Sequence, residues 1–181
     1  MAVKSLVVFR IRVILLAMLA ACTLSQVSAW ADEFVCGKYG FSVDVPVDIF
    51  AVDTAAHGDL WLRLISKSDA DFRAEFSTAP VTDKMFMVED LVMLRIKPKS
   101  TILISDLQIG DRYDTHVLAY EAGGVVEYSV TMHVSRGPEQ ESYFCVAVYT
   151  MPADRFEQYR PIIDRINASW KLTAESVSSG K

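Results

Sequence analysis

The residues able to do chemistry are few and scattered. Three histidines stand at His57, His116 and His133. None has a second histidine, a cysteine or a carboxylate at a zinc-site spacing such as H-E-x-x-H or C-x-x-C. His57 falls in a turn-rich stretch and His133 on the wetter face of an alternating run. Brought together with an aspartate they would bind zinc weakly, and ordinary surface histidines are the simpler reading. A hydrolase needs a nucleophile beside a base, often on a strained turn. The chain has no G-x-S-x-G, and Cys145 lies mid-strand between Phe144 and Val146. There is no Walker A or dinucleotide glycine pattern. The pairs Asp69/Asp71 and Asp111/Asp114 lack the ligand density of a calcium loop and read as solvated turn residues. Met85, Met87, Met93, Met132 and Met151 raise Cu(I) as a ligand. Met85 and Met87, however, would sit about 200° apart on a helix, so core packing accounts for them better. The expectation is a non-enzyme with no metal and no cofactor.

The cysteines and the start of the chain speak to its address. Lys4, Arg10 and Arg12 precede nine apolar residues, Val13 to Ala21. That is a signal-peptide pattern, too short for a transmembrane helix, which needs about 20 apolar residues. Two cleavage signals follow. Leu19-Ala20-Ala21-Cys22 reads as a lipobox, which would make Cys22 a lipidated N-terminus. Ala29-Trp30-Ala31 before Asp32-Glu33 reads as an ordinary signal-peptidase site. A lipoprotein tether would contain Leu24, Val27 and Trp30, which are apolar for a solvated linker. Cleavage after Ala31 is therefore expected, with a lipoprotein anchored through Cys22 as the alternative. The leader is 1–31, the domain 32–173 and the frayed tail 174–181. Location in the periplasm or outside the cell follows, with no membrane span in the mature chain. Removing three uncompensated cations takes the net charge from −5 to −8. An acidic chain without a Lys/Arg cluster is a poor nucleic-acid binder. Cys36 and Cys145 remain in the body, 109 positions apart. In an oxidising compartment such a pair reads as a disulfide.

The elements that must position these residues follow from periodicity. Phe41, Val43 and Val45 alternate with polar residues up to Pro46. Leu60 to Ile65 and Phe72 to Phe76 alternate again and can pair across a polar turn. The period then becomes helical. Thr82 or Asp83 can cap a helix running to about Lys97, ended by Pro98, with a broad stripe of Met85, Val88, Val92 and Ile96. Thr101 to Leu107, His116 to Glu121, Val125 to Val134 and Ser142 to Thr150 read as strands. Gly123-Gly124 signals a hairpin and Arg136-Gly137-Pro138 a second turn. A last helix opens at Pro152 with the stripe Phe156, Tyr159, Ile163, Ile166 and Trp170, bent at Pro161. This order predicts an α+β fold, an antiparallel β-sheet sandwiched by helices.

The layout resembles the PsbP-like family, with bacterial relatives such as the DcrB-like periplasmic proteins. The resemblance runs through "YGFSVDVPVDI" (Tyr39 to Ile49), "TDKMFMVEDLVMLRI" (Thr82 to Ile96) and "LQIGDRYDTHVLAYEAGGVVEYSVTMHV" (Leu107 to Val134). It is nearest in "SYFCVAVYTMPADRFEQYRPIIDRINASWKL" (Ser142 to Leu172). It implies the α/β/α PsbP-like sandwich and accessory roles by docking onto larger assemblies more often than catalysis. Some members of the family are associated with calcium or manganese, and no ligand cluster matching that is present here. Two functional expectations follow. The first is a non-enzymatic exported accessory protein that docks onto an unidentified envelope partner. The second is a periplasmic binder of a small apolar ligand.

Overall fold

The computed structural model describes residues 31–37, 39–54, 59–81, 99–109, 113–134 and 142–172. These form two antiparallel sheets and one α-helix. The strands are β1 (Asp32–Cys36), β2 (Phe41–Val45), β3 (Phe50–Asp53), β4 (Leu60–Ser66), β5 (Arg73–Pro80), β6 (Thr101–Gln108), β7 (Tyr113–Ala122), β8 (Val125–Val134), β9 (Tyr143–Pro152) and β10 (Lys171–Leu172). A 3-10 turn, Ala153–Arg155, leads into helix α1 (Phe156–Ala168). The large sheet has the order β3-β4-β5-β9-β8-β7-β6, and the small one β1-β2-β10.

Alternation decides which face of each strand is apolar. On β8, Val126, Tyr128, Val130, Met132 and Val134 are all buried on one face. They meet Ala147, Tyr149 and Met151 of β9 and Ala74 and Phe76 of β5. This first face is covered by α1, through Phe156, Tyr159, Ile163 and Ile166, and by the small sheet, through Val43 and Val45. At one end Cys36 and Phe41 of the small sheet pack on Met132, Val134, Tyr143 and Cys145. The joint is aromatic: the Phe41 ring meets Trp61 and Trp170 edge-on at 5.6 and 4.8 Å.

The second face of the large sheet is also buried along its middle strands. Leu118, Tyr120, Phe144 and Val146 form a cluster there, with Val81, Ala122 and Val148 packed against it. Ser129, Thr131 and His116 on this face are buried too.

Several expectations need correction. Among the described residues there is one α-helix, so a sheet sandwiched by helices overstates the helical content. The helix expected from Thr82 to Lys97 and the turn at Arg136 lie outside the described residues. The last helix begins at Phe156, because Pro152 still pairs with Val125 as the end of β9. It continues through Pro161, while Trp170 lies beyond its end. Strands β1, β3 and β10 were not expected. Gly123 and Gly124 do form the hairpin turn, with φ of 62° and 79°, a region that glycine enters without steric cost.

Candidate functional site

The residues singled out for chemistry are mostly kept apart. His57, Cys22, Asp111, Met85, Met87 and Met93 lie outside the described residues. Met132 and Met151 are buried in the core. Among the described residues no group of three or more His, Cys, Asp or Glu is placed to hold a metal ion. Two histidine contacts do form on the second face. His133 Nδ1 lies 3.8 Å from Asp114 Oδ2. Ser105 Oγ lies 3.4 Å from His116 Nε2. A serine nucleophile needs one base with one acid behind it. Here the acid sits on His133 and the serine on His116, so the two pairs do not form a relay.

Cys36 and Cys145 are both buried and share one apolar cluster, but no disulfide joins them in this structure. Cys36 ends β1, and Cys145 lies mid-strand on β9, opposite Thr78 and Met132. Next to them Tyr143 Oη donates to the Tyr39 carbonyl at 2.8 Å. Ala31, the expected last leader residue, directly precedes β1.

Asp69 is a structural residue that sequence reasoning placed among solvated turns. Its Oδ2 accepts from Tyr159 Oη at 2.6 Å and from Arg155 Nη1 at 2.7 Å. Its Oδ1 accepts from the Asp71 amide at 3.1 Å. The Tyr159 hydrogen bond, above all, holds the Asp69 carboxyl below the usual carboxylate range, although partial burial opposes it. The Asp71 amide and the Arg155 guanidinium act in the same direction as Tyr159. This contact ties the β4–β5 turn to the start of α1. Asp71, its former partner as a candidate ligand, stays exposed.

Two surfaces remain as candidates for function. The first is a cleft of about 380 Å³ at the end of the large sheet. Asp71 and Arg73 flank it on the β5 side, and Gly124 and Val125 on the hairpin side, while the end of β9, Thr150 to Pro152, lines the rest. The second is β6. This eight-residue edge strand is exposed along almost its whole length. Its apolar side chains face water: Ile102 is 53 % exposed, and Leu103 and Leu107 are exposed with it. Ile109, just past the strand, is 82 % exposed. The register sets Ile102 opposite Tyr120 and Leu107 opposite His116, on the second face. The irregularity between Ile102 and Ile104 twists this edge locally, a device that discourages simple sheet extension. The sequence from Thr101 to Leu107 reads as a strand, but only the sheet order shows that it is an edge.

Comparison with known proteins identifies the fold. No protein-family model matches the chain. No curated protein matches it either. The solution structure of cyanobacterial PsbP from Synechocystis sp. PCC 6803 is similar, with a TM-score of 0.58, 10% identity, and coverage of 80% of this chain and 93% of that one. The Saccharomyces cerevisiae Ran-binding protein Mog1p is similar with a TM-score of 0.52 and 10% identity, covering 81% and 97%. At such identity the likeness shows the fold alone: a PsbP-like, mainly antiparallel β architecture.

Proposed function

We propose that this protein is an exported, non-enzymatic accessory factor that docks onto an envelope partner through the β6 edge. The observation that carries this reading is the row of exposed apolar side chains, Ile102, Leu103, Leu107 and Ile109, on one edge strand and its exit. Contiguous exposed apolar surface is uncommon on a monomer and marks interaction sites. One structural neighbour is by name a Ran-binding protein, so this fold can present a protein-binding surface. No helix among the described residues is long and apolar enough to cross a membrane. The test is in-cell photocrosslinking from position 109, with position 157 on α1 as control. A discrete adduct from 109 alone supports docking. Identical patterns from both positions would refute it.

The leader supports export to the periplasm, with cleavage after Ala31 and a PsbP-like, DcrB-like relationship as the wider setting. The competing product is a lipoprotein acylated at Cys22. Intact mass of the protein from soluble and membrane fractions separates them: a chain starting at Asp32 supports the first, and an acylated Cys22 the second. We also assign the Cys36–Cys145 pair a disulfide in the oxidising compartment, supported by their burial in one cluster.

A further inference from the structure

We propose that the cleft at the Gly123–Gly124 end of the large sheet binds a carboxylate carried on a short apolar body. The proposal goes beyond docking at β6 and does not rest on it. A volume of about 380 Å³ lies at the small end of the range for small-molecule sites, enough for one amino-acid-sized group.

Its chemistry begins with Arg73. Of the five described arginines, Arg63 pairs with Glu75 at 3.1 Å and Arg155 with Asp69 at 2.7 Å. Arg160 lies 3.9 Å from both Glu157 and Asp164, and Arg165 is also engaged. Arg73 alone has no acceptor, and it lines the cleft. A guanidinium is a planar fork of donors that fits a carboxylate with two parallel hydrogen bonds. Thr150, directly across the ladder from Arg73, adds a hydroxyl at the same wall.

The rest of the lining selects the ligand. Val125, 40 % exposed, lines the cleft together with Pro152, its partner across the ladder, so the wall opposite the arginine is apolar. That suits an aliphatic side chain. Asp71 stands at the mouth and repels ligands that carry several negative charges, which disfavours phosphates. Gly124 has no heavy atom within 4 Å of where a Cβ would stand, so the hairpin leaves the mouth open. An aliphatic carboxylate of this kind has two sources: a free small acid, or the C-terminal residue of a partner chain.

The test uses isotope-labelled protein purified as the cell processes it, followed by amide NMR. The probes are N-acetyl-valine, a pentapeptide ending in valine with a free acid, the same peptide as an amide, and inorganic phosphate. The expected result is saturable shifts at Arg73, Gly124, Val125 and Thr150 from both acids, with the amide and phosphate silent. Arg73→Gln should weaken acid binding by about tenfold or more, and Arg73→Lys should restore part of it. Because Arg73 is exposed and unpaired, neither variant should disturb the remaining spectrum. A free-acid peptide that binds about tenfold tighter than N-acetyl-valine assigns the site to a chain end, and equal affinity assigns it to a free acid. Silence from both acids, equal shifts from phosphate, or unchanged binding by Arg73→Gln would each overturn the proposal.

Discussion

Asp69 accepts from Tyr159, Arg155 and the Asp71 amide, and all three donors hold its carboxylate in the charged form. Its folded pKa is therefore lowered from the ordinary value, first by the Tyr159 hydroxyl. A lowered carboxylate stabilises the fold at pH above its unfolded value, and that stability is lost as the pH falls through the lowered folded value. Asp69→Asn removes both the charge and its titration. The wild type should melt above the variant at neutral pH, and the gap should stay constant down to about pH 5 and narrow in acid. Thermal melts across a pH series measure this. A gap that persists undiminished in acid would assign the effect to shape rather than charge. This contact could not be read along the chain, because Arg155 and Tyr159 are 86 and 90 residues from Asp69. A polar turn with two aspartates looks the same whether it is solvated or pinned. The cleft arginine was hidden for the same reason: its freedom is visible only once the partners of the other arginines are known.

At the scale of elements, α1 holds the first face through residues that recur at helical spacing. Ile163 is completely buried among Val43, Tyr149 and their neighbours. Ile163→Ala should cost about 2–5 kcal/mol, against roughly 0.5 kcal/mol or less for Asp164→Ala on the exposed side. Denaturant midpoints at constant slope would register the difference, and equal costs would contradict the packing. Turns allow a test of opposite sign. Gly124 sits at φ 79° with open space around it, so Gly124→Ala should cost about 1–2 kcal/mol from backbone strain alone. Lys99, entering β6, holds φ 66° without being glycine. Lys99→Gly should stabilise by about 1 kcal/mol in a thermal melt, and a variant that melts lower than wild type would contradict strain at this position. The elements legible in the sequence are those whose cause is local: period-two alternation in β2, β4, β5 and β8, and the paired glycines between β7 and β8. Strand β1 escaped because its sequence, Asp-Glu-Phe-Val-Cys, buries little but the last residue. Its order comes from pairing with β2. Strand β3 has only four residues and is held by β4. Sheet order was equally out of reach, since β5 pairs with β9 across about seventy residues of chain that no local pattern spans.

At the scale of the whole molecule, two sheets meet along one apolar joint, and the cysteines sit on opposite sides of it. Cys36 belongs to the small sheet and Cys145 to the large one, within a single cluster. Among the described residues strand β1 is an outer strand of the small sheet, paired with β2 alone. A bridge from its last residue to β9 would therefore fasten an outer strand of the small sheet to an inner strand of the large one. Closing a loop of 109 positions lowers the entropy of the unfolded chain, worth roughly 4–5 kcal/mol in an unstrained bridge. Protein taken from an oxidising compartment should gain the mass of two hydrogens on reduction and melt lower afterwards. The loss should be uneven: amide exchange should quicken through β1, while β8 and β9, buried inside the large sheet, stay protected. The double variant Cys36→Ser/Cys145→Ser should melt like the reduced wild type, apart from the cost of two buried hydroxyls. An unchanged mass on reduction would leave the pair as two packed thiols. The joint would then rest on Phe41, Trp61 and Trp170 and their ring contacts, and Phe41→Ala would become the substitution that loosens β1.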